Sequence, residues 1–369
     1  MNENLRIVHK KTGYFLEDFG PGQVFRHRGG KTITDGLFTT FGDFSFATHP
    51  SSKNRRYAKA HGYRDLVCPP GLVMLVAFSQ TVGDISENAR ANLEYSNMRF
   101  GVPVYPGDTI EVETKILGVR PSSSRPDLGI VHVQSTARKN IGSSDEGIVL
   151  TFERKVQVFK GAADATIESF EIEPDAIDCE LWLPKYGAKA DYAEIAHLGG
   201  NDGFFEDFEP GTLLAHSRGR TVTSEHIHLT GILDNTSQVH CNQHMIDLDP
   251  ERYLGGQLVV FGGIPFALCL GISGPDIGDN TLGDVLYKTG RHTAPLAAGE
   301  TVYASTEILA KRDHPSRPDL GIVESRLYGH KFDLEEGADH DDAPPGYKRT
   351  KIFELDRNVI AKRRSHYTA

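Results

Sequence analysis

The chain states one pattern twice. Phe15-Leu16-Glu17-Asp18-Phe19 returns as Phe204-Phe205-Glu206-Asp207-Phe208, and Lys31-Thr32-Ile33-Thr34 returns as Arg220-Thr221-Val222-Thr223. Ser124-Arg125-Pro126-Asp127-Leu128-Gly129-Ile130-Val131 returns letter for letter as Ser316-Arg317-Pro318-Asp319-Leu320-Gly321-Ile322-Val323. The offset is 189 residues at the first two matches and 192 at the third, so the copies are colinear. A solenoid needs more and shorter units. Two copies within 369 residues describe a duplicated domain, each copy long enough for its own core. The expected division is residues 1–159, a connecting segment 160–202 and residues 203–369. The connector carries the single tryptophan, Trp182, among Leu181, Leu183 and Pro184. Those residues predict packing against the domains rather than a loose tether.

Within each copy the apolar pattern changes period. Gly71 to Val82 and Ile264 to Ile272 are almost wholly apolar, as a helix buried on all sides must be. Thr109 to Ile116, Ile148 to Val158 and Thr301 to Ile308 alternate with period two, the mark of half-buried antiparallel strands. The repeated Ser-Arg-Pro-Asp-Leu-Gly segments fall between strands and predict hairpin turns. The fold class is therefore α+β, an antiparallel sheet wrapped around a central helix, twice. Asp333 to Tyr347, acidic with Pro344-Pro345-Gly346, predicts a solvated hairpin.

Bulk properties exclude some functions. A formal charge of −10 argues against general nucleic-acid binding, which needs a basic face. Four cysteines, none in a CxxC pair or at matching repeat positions, predict free thiols rather than a disulfide framework or zinc site. Met1 to Lys11 has no apolar signal-peptide core, and the apolar run Leu258 to Ile272 is interrupted by Gly262, Gly263 and Pro265. The expectation is a cytoplasmic protein with no membrane partner.

The densest chemistry lies in copy two. Thr230-Gly231-Ile232-Leu233-Asp234-Asn235 leads to Gln238-Val239-His240, then Gly262-Gly263 at the head of the second apolar helix, then Gly290-Arg291-His292-Thr293-Ala294-Pro295. This order resembles the MaoC-like, hotdog-fold enoyl-CoA hydratases, whose motif is Gly-Asp-x-Asn-Pro-x-His with an Asp–His dyad. Tyr105-Pro106-Gly107-Asp108-Thr109 in copy one matches the family's later Gly-Asp turn, so the resemblance covers both halves. Ser86 to Leu93, Thr289 to Thr293 and Ser305 to Lys311 narrow it to the mesaconyl-CoA hydratase (β-methylmalyl-CoA dehydratase) group.

The resemblance implies a double hotdog that reversibly hydrates an enoyl-CoA, with mesaconyl-CoA and β-methylmalyl-CoA as the expected pair. It implies no cofactor and no metal, since CoA enters as part of the substrate. A homo-oligomer, a dimer of double hotdogs, is expected. His240 is the expected acid/base, and the Gly263 N–H the expected enolate donor, because a helix N-terminus presents aligned N–H groups. Arg291, His292 and Gly262 are expected substrate contacts, Arg291 as the cation for a distal carboxylate. At the family's Asp position this chain has Asn235, five residues before His240, with Asp234 one residue earlier. Either Asn235 orients the water through its amide, or Asp234 supplies a carboxylate through a bulge. In copy one, Asp43 and His49 lie at a similar place without the Asn-Thr-x-x-Val-His pattern, so copy one is expected to be scaffold and tunnel wall. A broader MaoC-type hydratase and a hotdog thioesterase are the alternatives. The second disfavours itself because thioesterases commonly use an acid on or near the central helix, and Ile264 to Ile272 has none.

Overall fold

A computed structural model describes residues 12–368, apart from 163, 254, 255 and 338. The reading of Met1 to Lys11 lies outside them. Twelve strands form one sheet: β1 (Val24–Arg26), β2 (Lys31–Thr32), β3 (Ala89–Phe100), β4 (Thr109–Pro121), β5 (Leu128–Lys139), β6 (Gly147–Phe159), β7 (Phe170–Glu171), β8 (Leu213–Thr221), β9 (Thr281–His292), β10 (Thr301–Asp313), β11 (Leu320–Leu334) and β12 (Tyr347–Lys362). Their order is β1-β4-β5-β6-β3-β9-β12-β11-β10-β8, with β2 and β7 both on β4. The second half of that order mirrors the first. The halves join through antiparallel β3 and β9, where Tyr95 faces Gly290 and Arg99 faces Leu286.

Each half wraps one apolar helix, Pro70–Gln80 or Gly263–Ser273. Every residue from Gly71 to Ser79 is buried, and in the second helix every residue except Leu270. Both helices bury all their sides, one against the sheet and one against each other. The contact is close: a Cβ on Gly71 would touch Ala267 and Leu270 at 3.7 Å, and one on Gly263 would overlap Leu75 at 2.1 Å. No helix among the described residues is long and apolar enough to cross a membrane.

The repeats have physical causes. In each Ser-Arg-Pro-Asp-Leu-Gly hairpin the arginine forks onto the aspartate two residues on, Arg125 on Asp127 and Arg317 on Asp319, at 2.6–2.8 Å. In each Phe-x-Glu-Asp-Phe segment the aspartate accepts the N–H of the first Phe, Asp18 from Phe15 and Asp207 from Phe204. The connector packs against both halves. Phe170–Glu171 pairs with β4, the Trp182 ring lies 5.5 Å from Tyr63, and Tyr192 lies 4.7 Å from Tyr367.

Candidate active site

A cavity of about 290 Å³ opens where the halves meet. Copy two contributes Asn235, His240, Gly262 and His292; copy one contributes Arg90, Asn92, Tyr95 and Arg154. No aspartate or glutamate is among its described lining residues.

His240 ends a short 3-10 turn, Gln238–His240. Its Nδ1 lies 2.8 Å from the Val259 carbonyl. A carbonyl only accepts, so Nδ1 carries the proton and Nε2 keeps its lone pair. Burial pulls the imidazole down to about 4, partly opposed by the Val259 hydrogen bond. His240 is therefore neutral at pH 7, and its ring packs 5.4 Å from Phe261.

The turn before it settles how Asp234 and Asn235 sit. The helix Glu225–Ile232 ends with the Asp234 N–H on Gly231 O and the Asn235 N–H on Thr230 O. Asp234 takes φ +61°, the left-handed conformation that Asp tolerates better than most residues. That reversal sends Asn235 inward, 5% exposed. The Asn235 Oδ1 accepts the Ser237 N–H at 3.0 Å, which fixes the amide's orientation. Its Nδ2 is buried and has no partner among the described residues. Asp234 stays outside: its exposed carboxylate pairs with Lys31 at 2.6 Å, and it does not line the cavity. The bulge that would have carried Asp234 to His240 is absent, because the left-handed turn is spent reversing the chain.

One further expectation is corrected. Arg291 is exposed on β9 and pairs with Glu354; it does not line the cavity, because at its register position the side chain leaves the outer face of the sheet. Gly263 lies one residue deeper than the wall, its missing Cβ replaced by Leu75 and the Phe261 ring. Gly262 is the wall residue, and a Cβ there would meet the His292 ring at 2.8 Å. His292, also held down to about 4 by burial, lies 3.2 Å from the Tyr95 hydroxyl. No described side chain caps the helix head, where the Ile264 N–H is taken by the Phe261 carbonyl at 2.8 Å.

Arg154 is the residue sequence reasoning missed. It is fully buried on β6, lines the cavity and lies over the Phe78 ring at 4.4 Å. A signal existed in the repeat: Arg154 corresponds to Arg357, but the longer acidic hairpin moves the offset there from 192 to 203. The basic run Lys53-Asn54-Arg55-Arg56 serves the local structure. Asn54 caps the helix Arg55–Ala60, and Lys53, Arg55 and Arg56 pair with Asp43, Asp65 and Glu194.

The chain is similar to known proteins over nearly its whole length. The profile of the mesaconyl-CoA hydratase family matches residues 4–336. A β-methylmalyl-CoA dehydratase of Chloroflexus aurantiacus is 33% identical over 95% of this chain and 98% of its own. A mesaconyl-CoA hydratase of Cereibacter sphaeroides is 29% identical over 88% of this chain and 91% of its own. The crystal structure of a MaoC domain dehydratase from Chloroflexus aurantiacus superposes with a TM-score of 0.83 at 32% identity, covering 95% of this chain and 98% of that one. A double-hotdog protein of Mycobacterium tuberculosis, at 20% identity and a TM-score of 0.72 over 94% of this chain and 98% of its own, shares the fold. With its mirrored sheet, paired helices and a half-buried histidine at the helix head, the chain belongs to the mesaconyl-CoA hydratase family.

Proposed function

We propose that the protein is a hydro-lyase interconverting mesaconyl-CoA plus water with β-methylmalyl-CoA. The observation that carries this is the presence, in one cavity with no carboxylate among its described lining residues, of a histidine with a free Nε2 lone pair and an asparagine whose Nδ2 donor has no described partner. An Asn amide cannot take a proton from water, so His240 is the base. The Asn235 Nδ2–H donates to the oxygen of the attacking water and holds it, leaving the water's O–H for Nε2.

Water's oxygen bonds to the β-carbon while Nε2 takes its proton. The double-bond electrons shift onto the thioester as an enolate. The imidazolium then returns that proton to the α-carbon, and the base is restored. An imidazole held near 4 is a weak base, so proton removal accompanies C–O bond formation rather than preceding it. Its conjugate acid is correspondingly strong, which favours α-protonation. The enolate oxygen takes hydrogen bonds from the N–H groups of Gly262 and Gly263, with the helix dipole adding fixed positive potential. CoA arrives on the substrate, and the scheme uses no further cofactor.

The test is loss of the enoyl-thioester absorbance on adding protein to mesaconyl-CoA and, separately, to crotonyl-CoA. Rapid loss with mesaconyl-CoA supports the reading. Loss with crotonyl-CoA alone replaces it with a broader enoyl-CoA hydratase, and release of free CoA thiol replaces it with a thioesterase.

A further inference from the structure

We propose that Arg154 is the seat of the substrate's distal carboxylate, with Asn92 and Arg90 completing the pocket around it. This rests on the reading above that the acyl group is a dicarboxylate. Arg154 is 0% exposed. Its Nη2 donates to Thr81 Oγ1 at 2.8 Å. Its Nε and Nη1 are buried with no partner among the described residues, and no described carboxylate stands within ion-pair distance. An unpaired buried charge is strongly unfavourable. Burial pulls Arg154 down to about 10, which still leaves it cationic at neutral pH.

The other half of the molecule shows how this fold normally neutralises such an arginine. Arg154 lies opposite Val133 and Tyr95; Arg357 lies opposite Ser325 and Tyr287, each 192 residues further on. The two arginines are thus repeat partners. Arg357, 5% exposed, pairs with Asp284 at 3.2 Å. The residue 192 positions before Asp284 is Asn92. Copy one has an amide where copy two has the counter-ion, so the charge of Arg154 is left for something that enters the cavity.

The surroundings fit a carboxylate. Both polar atoms of the Asn92 amide and the Nε of Arg90 are buried and unpartnered. In a regular strand alternate residues would face away, yet Arg90, Ala91, Asn92 and Leu93 all line the cavity. Register shifts in β3 against β6, between Ala89 and Ala91 and between Asn92 and Glu94, turn them inward. A pantetheine arm enters from the open side and places its thioester at the helix head. A fully buried guanidinium is then reached by the far end of the acyl group rather than by CoA phosphates.

The experiment installs the counter-ion that copy two already uses. Binding of succinyl-CoA and butyryl-CoA, which have no double bond and do not react, is measured by calorimetry on the full chain. The wild type is expected to prefer succinyl-CoA, and Asn92→Asp is expected to erase the preference, a loss of roughly 10²-fold or more in succinyl-CoA affinity. Butyryl-CoA, with no distal carboxylate, should bind the two proteins alike. Arg154→Gln is the second variant and should lose the same preference. A wild type without the preference, or an Asn92→Asp protein that keeps it, overturns the proposal. Hydration of mesaconyl-CoA is scored separately. A protein that passes the binding test but fails to hydrate leaves the carboxylate seat standing and removes the reaction assigned above.

Discussion

The two halves build matching cavities and furnish them differently. The counterpart of the His240 cavity, about 160 Å³, is lined by His49, Gly71, Phe100, Asp284 and Arg357. In it, His49 Nδ1 accepts the Ser51 N–H at 3.1 Å and Nε2 donates to the Thr281 carbonyl at 3.0 Å. Both nitrogens are committed to backbone, so His49 offers no lone pair to a substrate. His240 commits one nitrogen only. The arginine follows the same logic: Arg357 has Asp284, whereas Arg154 has Asn92. Phe100 stands where the other cavity has His292. The first cavity pairs its cation and commits its histidine, although Arg357 Nε and Asp284 Oδ1 meet at ion-pair distance without an aligned hydrogen bond; the other holds unsatisfied donors, a free lone pair and a cation with no counter-ion among the described residues. Buried polar groups are normally paired, so concentrated exceptions mark the place where a ligand completes the set.

The largest expected effect tests the histidines directly. His240→Ala is expected to lower kcat by roughly 10²–10⁴, the scale of lost general acid–base catalysis. His49→Ala is expected to change turnover far less. Steady-state kinetics on both, with circular dichroism to confirm folding, decides; equal losses would end the distinction between the cavities.

Next comes the turn beside His240. Asn235→Ala removes a buried donor from the water site and is expected to reduce kcat by about 10²-fold. Asp234→Asn breaks only an exposed pair with Lys31 and should leave kcat nearly unchanged. The reverse order would mean that the Asp234 carboxylate reaches the reaction.

Much of this was legible in the chain, and the failures have a common cause. The duplication, both buried helices and the Arg–Asp hairpins follow from local spacing and period, and the structure places them there. His240, Asn235, Gly262 and His292 lie in one cavity, as their order around the second helix implies. The outward placement of Arg291 and the choice between Asn235 and Asp234 are not legible in the chain, because they depend on which way one strand face or one turn points, a choice made by tertiary register. Arg154 and Asn92 escaped notice because their significance is a missing partner. It shows only when β6 is laid on β12, and the inserted hairpin obscures that match in sequence.

A smaller effect concerns pH. His240 and His292 are held to about 4, and His61 to about 3, all chiefly by burial. The Arg154 side of the cavity adds no carboxylate to raise them. As pH falls below 6.5, the unfolded chain binds protons that these folded imidazoles refuse. Stability is therefore full above about pH 6.5 and declines toward pH 4. The free-enzyme kcat/KM should stay level through the range where an ordinary histidine titrates and fall only near pH 4. Thermal unfolding and kcat/KM measured from pH 4 to 8 check both. An acidic limb near or above 6.5 would reveal a carboxylate partner for His240 and make its cavity resemble an Asp–His dyad after all.

The smallest effect sharpens the comparison by moving off it. Arg291 sits at the repeat position of Arg99 on strand β9, and its guanidinium, 60% exposed, pairs with Glu354. Exposed pairs of this kind contribute at most about 1 kcal/mol. Glu354 also pairs with Lys351, so removing Arg291 does not strand an acid. Arg291→Leu is accordingly expected to leave KM and kcat for mesaconyl-CoA close to the wild type and to lower Tm only slightly. A selective loss with mesaconyl-CoA, crotonyl-CoA being spared, would return the distal carboxylate to Arg291. That would require β9 to turn its outer face inward when substrate binds, a rearrangement that the β9–β12 register, with Arg291 opposite Glu354, resists.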